Sequence, residues 1–505
     1  MILKRENVEE LRANRAVQVP DEKHFELPEK VLQFGTGVLL RGLPDYFIDK
    51  ANRAGIFNGR VVVVKSTDKG NTSEFDQQDS LYTLCIRGIT DGKHVEENII
   101  SSAISRVIAA SENWSSVLEV AADPALEIII SNTTEVGIQL VEDDIFADPP
   151  VSFPGKLLAV LYKRYQAFKG DSAKGLVVVP TELILDNGTK LRSVVLELAA
   201  QNNLSEAIID WIADCNIFCN SLVDRIVPGK PKKDVLNKLE EQLGYQDNLL
   251  IISESYALWA IEGDERVENV LSFAKADAGV VITPDINLHR ELKLRLLNGT
   301  HTLSCAAAFL AGFSTVTEAM ENATMSAFIS DLMTNDIASA IPYDVSPEVA
   351  SSFGKDVLDR FRNPDIEHQW LGITMNFTAK LKMRVLPVLR TYFEKFGKVP
   401  EHIAFGFAAY ISFMSSVFEK GGKFYGSYKN NIYLISDEEA AAFIGLASGE
   451  PENIVHSVIS NAAFWETDLQ AFPEFEESVR AYYNKIQTDG VMEALKDLQN
   501  NSVSI

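Results

Sequence analysis

Short apolar-rich runs recur through the first part of the chain, at residues 31–34, 61–64, 126–131, 175–179, 249–252 and 279–282. The runs are rich in Val and Ile and do not alternate apolar with polar, the pattern of a strand covered on both faces. Between them lie stretches with helical patterning, at 39–54, 103–122 and 157–168. Strands buried on both sides and alternating with helices leave few architectures open. They predict an α/β fold with a doubly wound, Rossmann-like parallel sheet. The runs stop near Thr283-Pro284, and long helix-compatible stretches such as 292–310 and 347–360 follow, with no further strand-like run. A chain of 505 residues exceeds one ordinary core. The division expected is a dinucleotide-binding domain over residues 1–283 and a mainly α-helical substrate domain over 284–505.

The net charge of −24 argues against nucleic acid as a partner, which would need a basic face. Four cysteines, Cys85, Cys215, Cys219 and Cys305, are too sparse for a disulfide framework. Cys215 and Cys219 are spaced to share a helix face, but no histidine cluster accompanies them, and no metal site is expected. The first residues lack the apolar core of a signal peptide, and no apolar run is long enough to span a bilayer. A cytoplasmic protein without membrane contact is expected, and its oligomeric state is left open.

Residues 31–42, VLQFGTGVLLRG, run from a strand through a glycine turn into a helix. Gly35 suits a tight turn, and Gly37 would let backbone approach a pyrophosphate at the helix N-terminus. The usual third glycine position holds Leu40, with Gly42 two residues on. The second strand leads into Lys65-Ser66-Thr67-Asp68. Asp68 could bind a ribose 2′-hydroxyl, whereas Lys65 and Ser66 could accept a 2′-phosphate, so these residues leave NAD and NADP open.

The stretch from Lys293 to His301 carries the chemistry. On an α-helix at roughly 100° per residue, Asn298 lies about 140° from Lys293 and His301 about 80° from it, so one arc holds all three. A lysine in an apolar pocket can exchange a proton near neutral pH, as alcohol–ketone interconversion requires. Asn298 could donate to the oxygen that gains negative charge, and His301 could orient the substrate. The same spacing also suits an amphipathic helix with a snorkelling lysine and a satisfied core histidine.

The K-x4-N-x2-H pattern of Lys293, Asn298 and His301 resembles the signature of the mannitol dehydrogenase family, the polyol-specific long-chain dehydrogenases. So do residues 216–228, which contain Val-Asp224-Arg-Ile, and the Gly35-Thr-Gly37 turn with Arg41. Residues 79–83, 131–137, 180–188, 221–229 and 360–368 resemble those members that interconvert D-tagaturonate and D-altronate. The resemblance implies a zinc-independent enzyme using NAD, with fructuronate or a neutral polyol as the alternative substrate. It implies cofactor contacts from Phe34, Gly35, Thr36, Gly37, Arg41, Asp68, Asn132, Thr133 and Glu135. It implies Lys293, Asn298 and His301 as catalytic residues, and Asp224, Arg290, Arg362, His368 and Lys380 on the substrate side. Two departures stand out. Glu182-Leu183 replaces the Asp-Asn pair of the mannitol-type enzymes, and Arg290 stands where they tend to carry Glu. An added cation suits a substrate bearing a carboxylate.

Overall fold

The computed structural model describes residues 1–67, 72–134, 136–429, 431–447 and 453–502. Two compact units divide the chain: Met1–Gly88 with His94–Ile286, and Ile89–Lys93 with Asn287–Ile505.

The first unit is built on a six-stranded sheet: β1 (Glu29–Phe34), β2 (Arg60–Lys65), β3 (Ile104–Ala109), β4 (Ile128–Ser131), β5 (Val177–Pro180) and β6 (Ile217–Phe218). All neighbours are parallel and the order is 3-2-1-4-5-6, that of a dinucleotide-binding doubly wound sheet. Val31, Leu32 and Phe34 of β1 are fully buried, as are Ile128, Ile129 and Ile130 of β4. Alternate residues feed two apolar clusters. Val31, Val63 and Ile130 lie in one, and Leu32, Val62 and Ile129 in the other. Burial on both faces is why these strands read as unbroken apolar runs.

Several expectations are corrected. The stretch 103–122 is not one helix. It is the edge strand β3 followed by the helix Trp114–Ala121, which Asn113 caps by accepting from the Ser116 N–H. Ser105 and Val107 of β3 are only half-buried and Arg106 is exposed, so the strand lacks the continuous signature. The run 249–252 contributes Ile251–Glu254 to a smaller sheet beside Tyr82–Thr90. The run 279–282 contributes Val280–Thr283 to a third sheet, beside Leu258–Glu262, which pairs antiparallel with Ser221–Asp224. Cys215 ends the helix Glu206–Cys215 while Cys219 lies beyond β6, so the two share no helix face. The helical stretch 39–54 breaks at Pro44 into Val38–Gly42 and Pro44–Arg53, because proline cannot donate into a continuing helix.

The second unit is mainly helical. Its centre is Glu401–Met414, buried at every position from His402 to Met414. This helix packs against Thr300–Leu310 and Phe475–Thr488. The expectation of no strands after residue 284 fails at Phe418–Lys420, Lys423–Tyr428 and Asn431–Ile435, an antiparallel sheet. Its strands are half exposed and therefore lack a long apolar run. Among the described residues no helix is long and apolar enough to cross a membrane.

Candidate active site

At the carboxyl edge of the six-stranded sheet, strand order reverses between β1 and β4, the crevice where such sheets bind ligands. Gly35 follows β1 with φ of +130°. A Cβ there would stand 2.8 Å from Leu40 Cδ1 and 3.1 Å from the Asn132 carbonyl oxygen, so only glycine fits the turn. Gly37 caps the next helix in extended conformation, and a Cβ added to it would meet nothing within 4 Å. The turn is thus closed on the protein side and open on the other, as a backbone approach to pyrophosphate needs. Gly42 supplies the close packing expected of a third glycine, since its Cβ would stand 2.9 Å from Val227. The Ser66 hydroxyl, just beyond β2, is buried without a partner. That orphaned group lies at the end of the strand where an adenosine ribose is expected, and the residues present fit a dinucleotide.

The other cofactor candidates separate by what their side chains do. Phe34 is a core residue whose ring meets Phe153 at 5.2 Å, leaving only its backbone for the crevice. Thr36 is half-buried between the two glycines. Arg41 is turned inward: it donates to the Leu249 carbonyl at 2.6 Å and lies 5.4 Å from the Tyr82 ring. The side chain expected at a phosphate is used to brace the unit itself. Lys65 donates to the Thr67 carbonyl. Asn132 donates to Thr181 Oγ1 at 3.0 Å, and Thr133 is held by Glu182. Asp68 and Glu135 lie outside the described residues.

In the second unit the key segment departs from the expected helix. Asn287–Leu292 is α-helical, Lys293–Gly299 winds as a π-helix, and Thr300–Leu310 returns to α. The 140° separation calculated for an α-helix therefore does not apply. Hydrogen bonds in a π-helix run from i to i+5, and this wider winding brings Lys293 and Asn298 onto one side of the axis. Both are half-buried. The wider turn is stapled from outside. Arg295 donates to the carbonyls of Met383 and Arg384 at 2.6 and 2.9 Å, and pairs with Glu291 at 2.8 Å. The Asn298 carbonyl accepts from the Thr302 hydroxyl at 2.7 Å, and Arg384 donates to that hydroxyl at 3.1 Å.

His301 is buried. Its ring stacks on Phe361 at 4.1 Å and meets the edges of His368 at 5.0 Å and Trp370 at 5.9 Å. Its Nε2 has no partner, nor has Trp370 Nε1. Buried polar atoms are rarely left unpaired, so these two are ready for a ligand. Burial holds the His301 pKa well below the usual imidazole value, and the positive charges of His368, Arg360, Arg384 and Lys380 push it the same way. His368 is lowered for the same reasons, by burial and then by Arg360 and Lys380. Lys380 and Arg384 are four apart on the helix Phe377–Arg384 and so share a face. Lys380 donates to the Ile373 carbonyl at 2.9 Å.

The remaining substrate-side candidates lie elsewhere. Arg290 turns back onto Asn287 at 2.6 Å. Arg362 is exposed and pairs with Asp359 at 3.7 Å. Of the cations that act on His301, Lys380 is among the sequence candidates, whereas Arg360 and Arg384 are not. Arg360 sits beside Phe361 at the end of Pro347–Phe361, so a two-residue error on a helix exchanges a buried cation for an exposed one. Asp224 is buried on Ser221–Asp224 in the first unit, opposite Leu258.

A model of the mannitol dehydrogenase Rossmann domain matches residues 29–275, and one of the mannitol dehydrogenase C-terminal domain matches 285–487. The chain belongs to the mannitol dehydrogenase family. It is 39% identical to altronate oxidoreductase of Bacillus subtilis, covering 94% of this chain and 96% of that protein. It is 36% identical to altronate oxidoreductase of Halalkalibacterium halodurans, covering 95% and 94%. Similarity of this extent makes the chain an oxidoreductase. Two solved structures share the fold at 23% identity. Mannitol 2-dehydrogenase of Pseudomonas fluorescens, in ternary complex with NAD and D-mannitol, covers 99% of this chain and 100% of its own with a TM-score of 0.68. A substrate-free D-sorbitol dehydrogenase covers 98% and 100% with a TM-score of 0.79.

Against the mannitol-type pattern, the Glu182-Leu183 departure has a structural content. Glu182 is buried, accepts from the Thr133 N–H at 2.9 Å and from the Ser131 hydroxyl at 3.1 Å, and so clamps the loop after β4. Leu183 is exposed. Asn187 donates to the carbonyls of Pro180, Glu182 and Ser221 and accepts from the Ser221 N–H. Arg225, the arginine after Asp224, donates to the Glu254 carbonyl and to the Gly42 carbonyl at 2.7 Å. It ties the end of the nucleotide helix to a neighbouring strand. The Val-Asp-Arg-Ile segment thus signals a brace as well as a candidate ligand.

Proposed function

We propose that this chain interconverts D-tagaturonate and D-altronate with NAD as cofactor, and that the second unit supplies the groups that bind and protonate the sugar acid. The bound nicotinamide would give up or accept the hydride. In ketone reduction, Lys293 Nζ hands a proton to the substrate carbonyl oxygen as that oxygen gains negative charge. The Asn298 amide donates a hydrogen bond to the same oxygen, and π-winding that aligns the two residues suits this shared task. His301, held neutral, offers Nε2 to a substrate hydroxyl. Phe34, Gly35, Thr36 and Gly37 offer backbone to the dinucleotide, with Asn132 and Thr133 across the crevice.

One observation carries the choice of a sugar acid over a neutral polyol. The largest charge effects on His301 come from the cations Arg360, Arg384 and Lys380 beside His368. Asp437 acts on Lys380 and Asp356 on Arg360, and a substrate carboxylate at His301 would add a further anion to this cationic surrounding. The names carried by the 39% and 36% identical relatives point the same way. The test is reduction of tagaturonate, fructuronate and the neutral sugar tagatose by NADH, followed at the nicotinamide absorbance. Tagaturonate should be reduced fastest. The gap to tagatose should shrink in Arg384→Met and Lys380→Met, since a charge-assisted hydrogen bond is worth roughly 10- to 150-fold in kcat/KM. Equal rates for tagaturonate and tagatose in the wild type would remove the sugar-acid reading.

A further inference from the structure

We propose that the second unit holds another ligand site, for a small amphipathic anion, in a cavity walled by its two π-helical turns. The cavity encloses about 370 Å³, within the size range of small-molecule sites. Leu296 of Lys293–Gly299 and Met333 of Leu332–Ile337 line it, and none of Lys293, Asn298 or His301 does. It is therefore a site apart from the one that binds substrate.

A glycine argues that the space is kept open. Gly354 stands in the middle of the helix Pro347–Phe361, where glycine weakens the helix and no positive φ requires it. Nor does crowding require it: a Cβ at 354 would meet only Met333, its sulfur 3.5 Å away, an ordinary contact. Alanine would fit and would strengthen the helix. What glycine provides here is room, and Ala350, one turn earlier, faces the same cavity.

The lining defines the class of ligand. Met333, Ile341 and Leu296 offer an apolar floor, and Ser339 and Ser351 offer hydroxyls. Among the described residues, Lys395 is the only charged side chain in the lining. It is exposed and gives one N–H to the Ser339 carbonyl at 3.2 Å. An ammonium has two more to donate. An apolar body ending in a carboxylate or sulfonate would satisfy floor and rim together.

The experiment uses the full chain and 8-anilinonaphthalene-1-sulfonate, an aromatic sulfonate whose fluorescence rises on leaving water. Titration is done with saturating NAD⁺ present, to occupy the dinucleotide crevice. One saturable site should remain. Lys395→Met should weaken it roughly 10-fold or more, the usual effect of losing a charge-assisted contact. Gly354→Leu, which fills the cavity, should abolish it, and Gly354→Ala, which cannot disrupt the helix, should weaken it measurably. No saturable binding, complete displacement by NAD⁺, or wild-type affinity retained in both Lys395→Met and Gly354→Ala would overturn the proposal.

Discussion

Protonating His301 should cost folding free energy, and the size of that cost follows from its burial. An imidazole in the unfolded chain titrates near the ordinary value of about 6.5. In the fold, burial and the neighbouring cations hold His301 well below that value. As pH falls through about 6.5, the unfolded chain takes up a proton that the folded chain refuses, so stability is lost on the acid side. One unit below the unfolded value, with the folded imidazole still neutral, the loss is RT ln 11, about 1.4 kcal/mol. It vanishes above about pH 7.5. His402 has the opposite sign, because Asp336 at 3.2 Å outweighs burial and raises its pKa, and His24, His289 and His368 are lowered as well, so the wild-type profile alone mixes several groups. The difference between wild type and His301→Asn isolates the effect. In urea unfolding, the stability advantage of wild type over variant should be about 1.4 kcal/mol smaller at pH 5.5 than at pH 7.5. The His301 Cε1–H resonance, assigned with the same variant, should not titrate over that range. An advantage that is constant or grows toward acid pH, or a resonance that titrates near 6.5, would show that His301 is charged in the fold. The assignment of its Nε2 to a substrate hydroxyl would fall with it.

Lys293→Ala should lower kcat for ketone reduction by roughly 10²–10⁴ while leaving the NADH dissociation constant, measured by fluorescence, nearly unchanged. Gly35→Ala should abolish measurable NADH binding, because the added methyl would crowd Leu40 and the Asn132 carbonyl at a φ that alanine rarely adopts; retained affinity would refute the crevice. Among the described residues no group of three or more His, Cys, Asp or Glu is placed to hold a metal, and turnover should survive dialysis against a strong chelator. NADH should exceed NADPH in kcat/KM, a comparison that a steady-state assay with both settles.

Legibility from sequence followed how each residue is buried. Strands β1, β2, β4 and β5 are covered on both faces, and their runs of Val and Ile announce it. The edge strand β3 and the two-residue β6 pack less completely and leave no such mark. The glycine turn was readable because Gly35 occupies a backbone region that other residues avoid. Arg41 was not, since an arginine beside a phosphate turn says nothing about which way its side chain points. The sequence places Lys293, Asn298 and His301 in one segment, but not their relation to one another. Residue spacing does not reveal π-winding, which here depends on distant partners: Arg295 reaching Met383 and Arg384, and Arg384 reaching Thr302.

On the proposed function, the same distant partners would join catalysis to substrate choice. The helix Phe377–Arg384 accepts the staple of Arg295 at its C-terminal carbonyls, where positive charge is favoured. From the face it shares with Lys380 it sends Arg384 back to Thr302, beside His301. One short helix therefore both holds the widened turn that aligns Lys293 with Asn298 and delivers two of the cations that act on His301. A substitution that neutralises Arg384 should then affect more than charge. It removes a donor from Thr302, whose hydroxyl holds the Asn298 carbonyl, so kcat should fall along with the preference for an acid substrate. Lys380 bonds only to the Ile373 carbonyl among the contacts described, and its neutralisation should act mainly on that preference. The contrast between the two variants separates a cation that recognises substrate from one that also shapes the catalytic turn.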